Sequence, residues 1–509
     1  MAVNANIHQQ QAINLTDGAV LIIAGPGSGK TFTLVERILN LIQNHQVLPE
    51  NLLVVTFTEK AAMELRTRVS NRLLELDIPF NVNEMYLGTF HSVCLKIIED
   101  NREYTRLNRS FTLMDQFDQQ YFFFQKLREF HEIENVHFIT GTLEKTPAWI
   151  QSENLVKWIN KVSEEVLPID ELCESGDQAL TALGECYKKY SQLLEENNAL
   201  DFSTIQVVAL RLLQDNAEVL QKMQSQLEYL MVDEYQDTNT IQEKILMLLT
   251  GDKKNICVVG DDDQALYRFR GATVRNILQF PDNFPDQKCK QISLTTNYRS
   301  HPDIIRFYNH WMSEHHWTIN DVSYRYEKII EAPKADFPDC ITAVKAIAEE
   351  HEDWHDEIYN LLTHLKEQGQ LEDWNQVAFL FQSVKNKKVQ ALARSLEEKG
   401  IPVYSPRGNL FFEREEICLL IGALITIFPS YAADQDKLKT DGRSMSIWEY
   451  YESQCVTPFL AEIVKPEHES LRLWCKRKAE DHISLIRNTD YAFTSLFYEL
   501  LQFPLFSRY

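Results

Sequence analysis

Apolar residues run without polar interruption from Ala19 to Ala24, pass into a glycine-rich turn, and then recur at helical spacing through TFTLVERILNLI. The same order of strand, loop and helix returns at Leu52–Phe57 and the following TEKAAMELRTRVSNRLLEL. Continuous apolar strands that alternate with helices predict a parallel, helix-covered sheet, an α/β fold. From Ile98 to Asn198 the texture changes to long charged helical stretches with few strand signals, which predicts a helical insertion. Strands return at Tyr229–Val232 and Ile256–Val259, each ending in a carboxylate cluster. In open α/β sheets, ligands sit at such strand ends. A further α/β block is expected from about Gln291, with a strand at Val377–Phe381, a helix from Lys387 that stops at Gly400, and a short strand IPVYS. Six carboxylates between Glu349 and Glu357 read as a solvated helix face. The stretch Ile417–Phe428, 12 residues long, reads as a buried helix, because a membrane span needs ~20 apolar residues.

Composition narrows the picture. With 509 residues and 44% hydrophobic content the chain is too apolar to be disordered, and its length suggests about three domains. The balance of 51 Lys+Arg against 74 Asp+Glu gives a net charge of −23, so no bulk field attracts a phosphate backbone and any nucleic-acid site must be a local patch. The N-terminus lacks the basic and apolar regions of a secretory signal, and nothing predicts a membrane partner. Nine scattered cysteines without a C-x-x-C pair argue against a disulfide framework or zinc knuckle, so a cytoplasmic setting is expected.

Four segments carry chemistry. AGPGSGKT, Ala24–Thr31, lies between a strand and a helix. Phosphate oxygens need several backbone N–H donors converging at a helix N-terminus, and glycines at Gly25, Gly27 and Gly29, with Pro26 and Ser28 between them, let the chain wrap that closely. Lys30 would reach the terminal phosphates and Thr31 would bind Mg²⁺; Ala24 stands where the strict pattern has Gly. LMVDEYQDTN brings Asp233 and Glu234 to a strand end, Asp233 suited to hold a metal and Glu234 to deprotonate a water. In CVVGDDDQALYRFRGA, Gln264 could sense a γ-phosphate, while Tyr267, Phe269 and Arg270 mix aromatic and cationic groups as a single-strand path does. Core packing explains those aromatics equally well, and the same question applies to Phe57. In TTNYRSHPDI, Tyr298 could stack on adenine and Arg299 reach the γ-phosphate, although a turn with a surface arginine fits as well.

Taken together, AGPGSGKT, VVTFTEKAAMELRTRV, GTFHS, ALDF, VDEYQDTN, VGDDDQALYRFRGA, NYRS and NLFFEREEI, in that order, resemble the UvrD/Rep/PcrA-type superfamily 1 DNA helicases. The resemblance implies ATP and Mg²⁺ as ligands, and single-stranded DNA or a duplex with a single-stranded tail as partner. It implies that Gln9 reads the adenine, with Gln10 or Gln11 as the alternative register, and that Tyr298 stacks on it. It assigns Asp233 to Mg²⁺, Glu234 to the catalytic base, and Gln264 and Arg299 to the γ-phosphate. Phe57, Thr58, His91, Tyr267, Phe269 and Arg270 fall on its DNA path, with Phe269 where Trp is usual. The DFDDL-like element reads DFSTI, keeping Asp201 and Phe202.

The implied architecture is a first RecA-like ATP-binding domain in residues 1–97 and 199–290 with a helical insertion in 98–198. An incomplete second RecA-like domain follows in 291–428, and the start of a second insertion in 429–509. A T-x-H-x-x-K-G-like strand and an arginine-bearing R-x-L-x-Y-V-x-x-T-R-like segment, which the family needs for hydrolysis, are not found after NLFFEREEI. The expectation is therefore an ATP-dependent 3′ to 5′ helicase or translocase in DNA repair, replication or recombination. The alternative is an ATP- and strand-binding fragment or subunit that turns over little until another chain supplies the missing elements.

Overall fold

The computed structural model describes residues 5–105, 107–108, 110–142, 145–266, 272–285, 289–319, 322–332, 354–384, 386–405, 414–428, 451–484 and 493–507. The chain divides into two compact units, residues 1–342 and 343–509.

In the first unit the strands are β1 (Val20–Ala24), β2 (Leu52–Thr56), β3 (Tyr86–Thr89), β4 (Thr112–Met114), β5 (Ala199–Asp201), β6 (Tyr229–Val232), β7 (Ile256–Gly260) and β8 (Lys290–Leu294). Six of them form one sheet in the order β3-β2-β6-β7-β1-β8, every pair parallel. The expected α/β class is observed. Every residue of β1, β2 and β7 is buried, so apolar side chains face both ways, as a sheet covered on two sides requires. Helices α1 (Ile7–Asn14), α2 (Lys30–His45) and α3 (Glu59–Glu75) belong to one side, where Val20, Ile22, Ala24 and Val54 meet Leu34, Ile38 and Leu65. On the other side Leu21, Ile23, Leu53 and Val55 meet residues of α4 (Phe90–Asp100) and of the helices that follow the insertion.

Between α4 and β5 lie α5 (Gln116–His131), α6 (His137–Thr140), α7 (Ala148–Glu164), α8 (Ile169–Glu174) and α9 (Gln178–Glu196), with their own apolar core. Phe123 stacks on Tyr190 there, with ring centroids 4.4 Å apart. Asp201 anchors this bundle: it accepts from Tyr190 Oη at 2.5 Å and Gln119 Nε2 at 3.1 Å while capping α10 (Phe202–Asp215). Gln291, where a second α/β block is expected to open, lies inside β8, which pairs with β1.

In the second unit, the helix expected from Lys387 spans Lys387–Glu398, and Gly400 follows at φ +83°. The buried helix expected over Ile417–Phe428 spans Glu415–Ile427, with Leu419, Leu420, Ala423 and Ile427 in a core shared with Phe459, Trp474 and Leu496. The strands expected at Val377–Phe381 and in IPVYS do not form among the described residues. Neither segment has a ladder partner among the described residues. Val377 and Val403 pack on the core of Leu362, Leu392, Leu396 and Ile401, while Leu380 and Tyr404 are exposed. An apolar run thus marks packing contact here, and strand pairing requires a neighbour that composition does not supply. No helix among the described residues is long and apolar enough to cross a membrane.

Candidate nucleotide site

The C-terminal ends of β1, β6 and β7, close together in the sheet order, deliver the phosphate loop, Asp233–Glu234 and Asp261–Gln264 to one edge. Gly27 and Gly29 adopt φ +65° and +82°, the left-handed region that L side chains rarely enter. These turns allow Lys30 to open α2 beside the carboxylates. Thr31 sits half-buried in the first turn. The Ser28 hydroxyl is buried without a hydrogen-bond partner in the protein.

Lys30 Nζ donates to Glu234 Oε2 at 2.7 Å. Glu234 occupies the left-handed region at φ +52°, and its N–H donates to Asp233 Oδ1 at 3.0 Å. This turn splits the pair: Asp233 is buried at the strand end, whereas Glu234 faces the phosphate loop. Burial, reinforced by the neighbouring Glu234 charge, pushes the Asp233 carboxyl above its ordinary range. A cation beside it would reverse that penalty.

Gln236 continues the network, its Nε2 donating to Glu234 Oε2 at 2.9 Å while its Oε1 accepts from the Asp261 N–H at 2.9 Å. Asp261 Oδ2 in turn accepts from Gln264 Nε2. A single chain of contacts therefore runs from Lys30 through Glu234, Gln236 and Asp261 to Gln264.

The NYRS segment seats against the opposite side of the loop. Asn297 Nδ2 donates to the Pro26 carbonyl at 2.7 Å, the Tyr298 N–H donates to the Gly27 carbonyl at 2.9 Å, and Asn297 Oδ1 accepts from the N–H groups of Arg299 and Ser300 at 2.8 Å each. Tyr298 is half exposed, and its hydroxyl accepts from Asn6 Nδ2 at 2.7 Å. Asn6 also forms a capping box with Gln9, whose Nε2 donates to the Ser28 carbonyl at 3.0 Å. Gln9 and Tyr298 are thus brought together through Asn6. Gln10 and Gln11 are exposed, and Gln9 alone of the three reaches the loop. The Arg299 side chain is exposed.

Phe57, half-buried, and Thr58, which caps α3, follow β2; His91 follows the adjacent β3, where Thr56 and Thr89 are in register. Phe202 meets His91 edge-to-face at 5.2 Å, and Gln206 Nε2 lies 3.2 Å from its Nε2. Burial lowers the His91 pKa, favouring the neutral ring. Tyr267, Phe269 and Arg270 lie outside the described residues. Asn6, Gln236, Asp261 and Asn297 were not given roles from sequence. Three of them sit inside the quoted motifs, which is the signal that could have found them; Asn6 had only its helix-capping residue type.

A glycine-lined loop, an amine, and buried carboxylates at the C-terminal edge of a parallel sheet define a phosphate-loop nucleotide-binding protein. The UvrD/REP helicase N-terminal domain family matches residues 5–285 and the UvrD-like helicase C-terminal domain family matches residues 292–434. The chain belongs to the UvrD/Rep helicase family. It is 31% identical over 435 residues to the ATP-dependent DNA helicase PcrA of Staphylococcus epidermidis, a match covering 83% of this chain and 54% of that protein. It is 29% identical over 430 residues to the ATP-dependent DNA helicase PcrA of Staphylococcus aureus, covering 82% of this chain and 53% of the relative. The chain therefore spans about half the length of the curated relatives it matches.

Proposed function

We propose that this chain binds and hydrolyses ATP as a DNA helicase or translocase that moves 3′ to 5′ along single-stranded DNA, in repair, replication or recombination. The observation that carries this reading is the continuous polar path from Lys30 to Gln264. It connects a phosphate-binding amine, a base and an amide that can respond to the γ-phosphate, and it sits beside an exposed tyrosine suited to a purine.

The loop N–H groups and Lys30 bind the phosphates, and Tyr298 with Gln9 holds the adenine. The chain has the donors a magnesium nucleotide wants: Thr31 and Asp233 would hold the metal, the remaining positions going to water and phosphate oxygens. Mg²⁺, when bound, neutralises charge that develops on the phosphates. Glu234 takes the proton from the attacking water once its pairing with Lys30 has been exchanged for phosphate. Arg299, being exposed, is free to reach the γ-phosphate. Phe57, Thr58 and His91, on adjacent strand ends, contact the nucleic acid, joined by Tyr267, Phe269 and Arg270 of the same motif series. We assign the first RecA-like domain to 1–97 and 199–290, its insertion to 98–198, a second RecA-like domain to 291–428 and a second insertion to 429–509, with β8 (Lys290–Leu294) crossing the boundary to pair with β1.

Streptavidin displacement from end-labelled single strands tests the direction. ATP-dependent release from the 5′ end, and not the 3′ end, is expected; release from the 3′ end alone would overturn the assignment.

A further inference from the structure

Lys328 lies outside every motif that carries the proposed chemistry, yet among the described residues it is the cation buried deepest beside it. Only 6% of its surface is exposed. Its ammonium is 2.5 Å from Asp262 Oδ1, 2.9 Å from Asp263 Oδ2 and 3.3 Å from Asp261 Oδ1. Burial works against the charge, but the aspartates outweigh it, so the Lys328 pKa stands above the ordinary lysine value. The rest of the segment reinforces the contact. Arg325 pairs with Asp263 at 2.7 Å, and the Tyr326 N–H donates to Asp262 Oδ2 at 2.8 Å.

Two residues beyond Lys328 the same segment reaches the phosphate loop. A Cβ on Gly25 would collide with Ile330 Cδ1, so Ile330 covers that glycine directly. Glu331 exchanges backbone hydrogen bonds with Thr295 and Asn297, its N–H donating to the Thr295 carbonyl and its carbonyl accepting from the Asn297 N–H, both at 2.9 Å. One short segment thus holds Asp261, the loop glycine and Asn297 in fixed relation.

We propose that Lys328 is a positioning residue for γ-phosphate recognition: its ammonium fixes Asp261, which holds the Gln264 amide and, through its N–H, Gln236. Three adjacent carboxylates in a buried site repel one another, and without the ammonium their lowest-energy arrangement differs. Asp261 then loses the orientation in which it receives the amide, although Gln264 itself is unchanged. The inference rests on the nucleotide-site reading above and adds to it the residue that sets the sensor.

Calorimetric titration of the full chain with AMP-PNP and with ADP, in the presence of Mg²⁺, tests both levels separately. The wild type is expected to prefer AMP-PNP. Lys328→Met and Gln264→Ala should each lower that preference on the order of 10-fold, the range of outer-shell positioning effects, with ADP affinity within about twofold of wild type. The double variant should be no worse than either single one, because both remove the same interaction. Lys328→Arg should restore most of the preference. Should thermal melts show Lys328→Met unfolded, Asp261→Asn carries the test and should lose the preference in the same way. Wild-type preference in the Lys328→Met or Asp261→Asn chain, or a double variant whose loss is the product of the two single losses, overturns the proposal alone. A wild type that binds both nucleotides equally overturns the sensor proposal alone, and one that binds neither overturns the nucleotide-site reading as well.

Discussion

Lys30 and Glu234 form an ion pair at 2.7 Å, with the lysine side chain 13% and the glutamate side chain 34% exposed. The amine that would bind phosphate and the base that would deprotonate the attacking water thus neutralise each other. Phosphate must displace the carboxylate, and that displacement frees Glu234 to face water.

This competition gives opposite expectations for affinity and rate. In Glu234→Gln the amide no longer competes for Lys30, so ATP binding should tighten by about twofold to fivefold, the worth of a partly exposed pair. Hydrolysis should fall by about 10²-fold or more because the base is gone. Titration and steady-state turnover on the same preparation check the two signs, and weaker binding would contradict the exchange.

The bridge from Asn6 to Tyr298 predicts a selective loss. Asn6→Ala removes the 2.7 Å contact to the Tyr298 hydroxyl and the cap of α1. Stability should drop by about 1 kcal/mol, a typical cap value, and the preference for ATP over GTP should narrow, because Gln9 is held by the same capping box. Chemical denaturation and competition binding measure the two effects.

Matched glycines separate loop chemistry from backbone strain. Gly27 at φ +65° would place a Cβ 2.7 Å from Asn297 Oδ1, whereas Gly18 at φ +79° has nothing within 4 Å of a Cβ. Both alanine variants carry the left-handed cost of about 1–2 kcal/mol. Only Gly27→Ala should also weaken AMP-PNP and ADP binding, by about 10-fold or more, because its Cβ would displace the Asn297 side chain that donates to the Pro26 carbonyl of the loop.

The insertion carries a pH signature. Glu164 on α7 is pushed up to about 7 by burial, opposed by Lys161 and reinforced by Glu165 and Asp201. Its folded pKa lies above the ordinary carboxylate value, so the folded state holds the extra proton. The associated stability is complete below about pH 4.5 and is lost as pH rises through about 7. Glu164→Gln should flatten the decline in Tm over that range and raise Tm at pH 8, as thermal melts across pH would show.

In the parallel sheet β1, β2, β6 and β7 were legible because they are continuously apolar, whereas β3 (YLGT) and β8 (KQISL) were not, because polar residues interrupt them. Lys30, Asp233, Glu234 and Gln264 were legible because phosphate chemistry demands those residue types at strand ends. Their mutual arrangement was not: the Glu234 turn, the Gln236 link and the Asn6–Tyr298 bridge depend on contacts across 204, 25 and 292 residues. Lys328 was invisible for the same reason, since its meaning comes from aspartates 66 residues away. At Val377–Phe381 an apolar run was present and pairing was not, because a ladder is a property of two segments.

Stimulation of ATP hydrolysis by single-stranded DNA tests the central claim most directly. The chain should hydrolyse ATP with Mg²⁺, faster when an oligodeoxythymidylate is added, and Lys30→Ala should abolish both the basal and the stimulated rate. ATP binding without turnover at any strand concentration, or turnover indifferent to the strand and to Lys30, would contradict it.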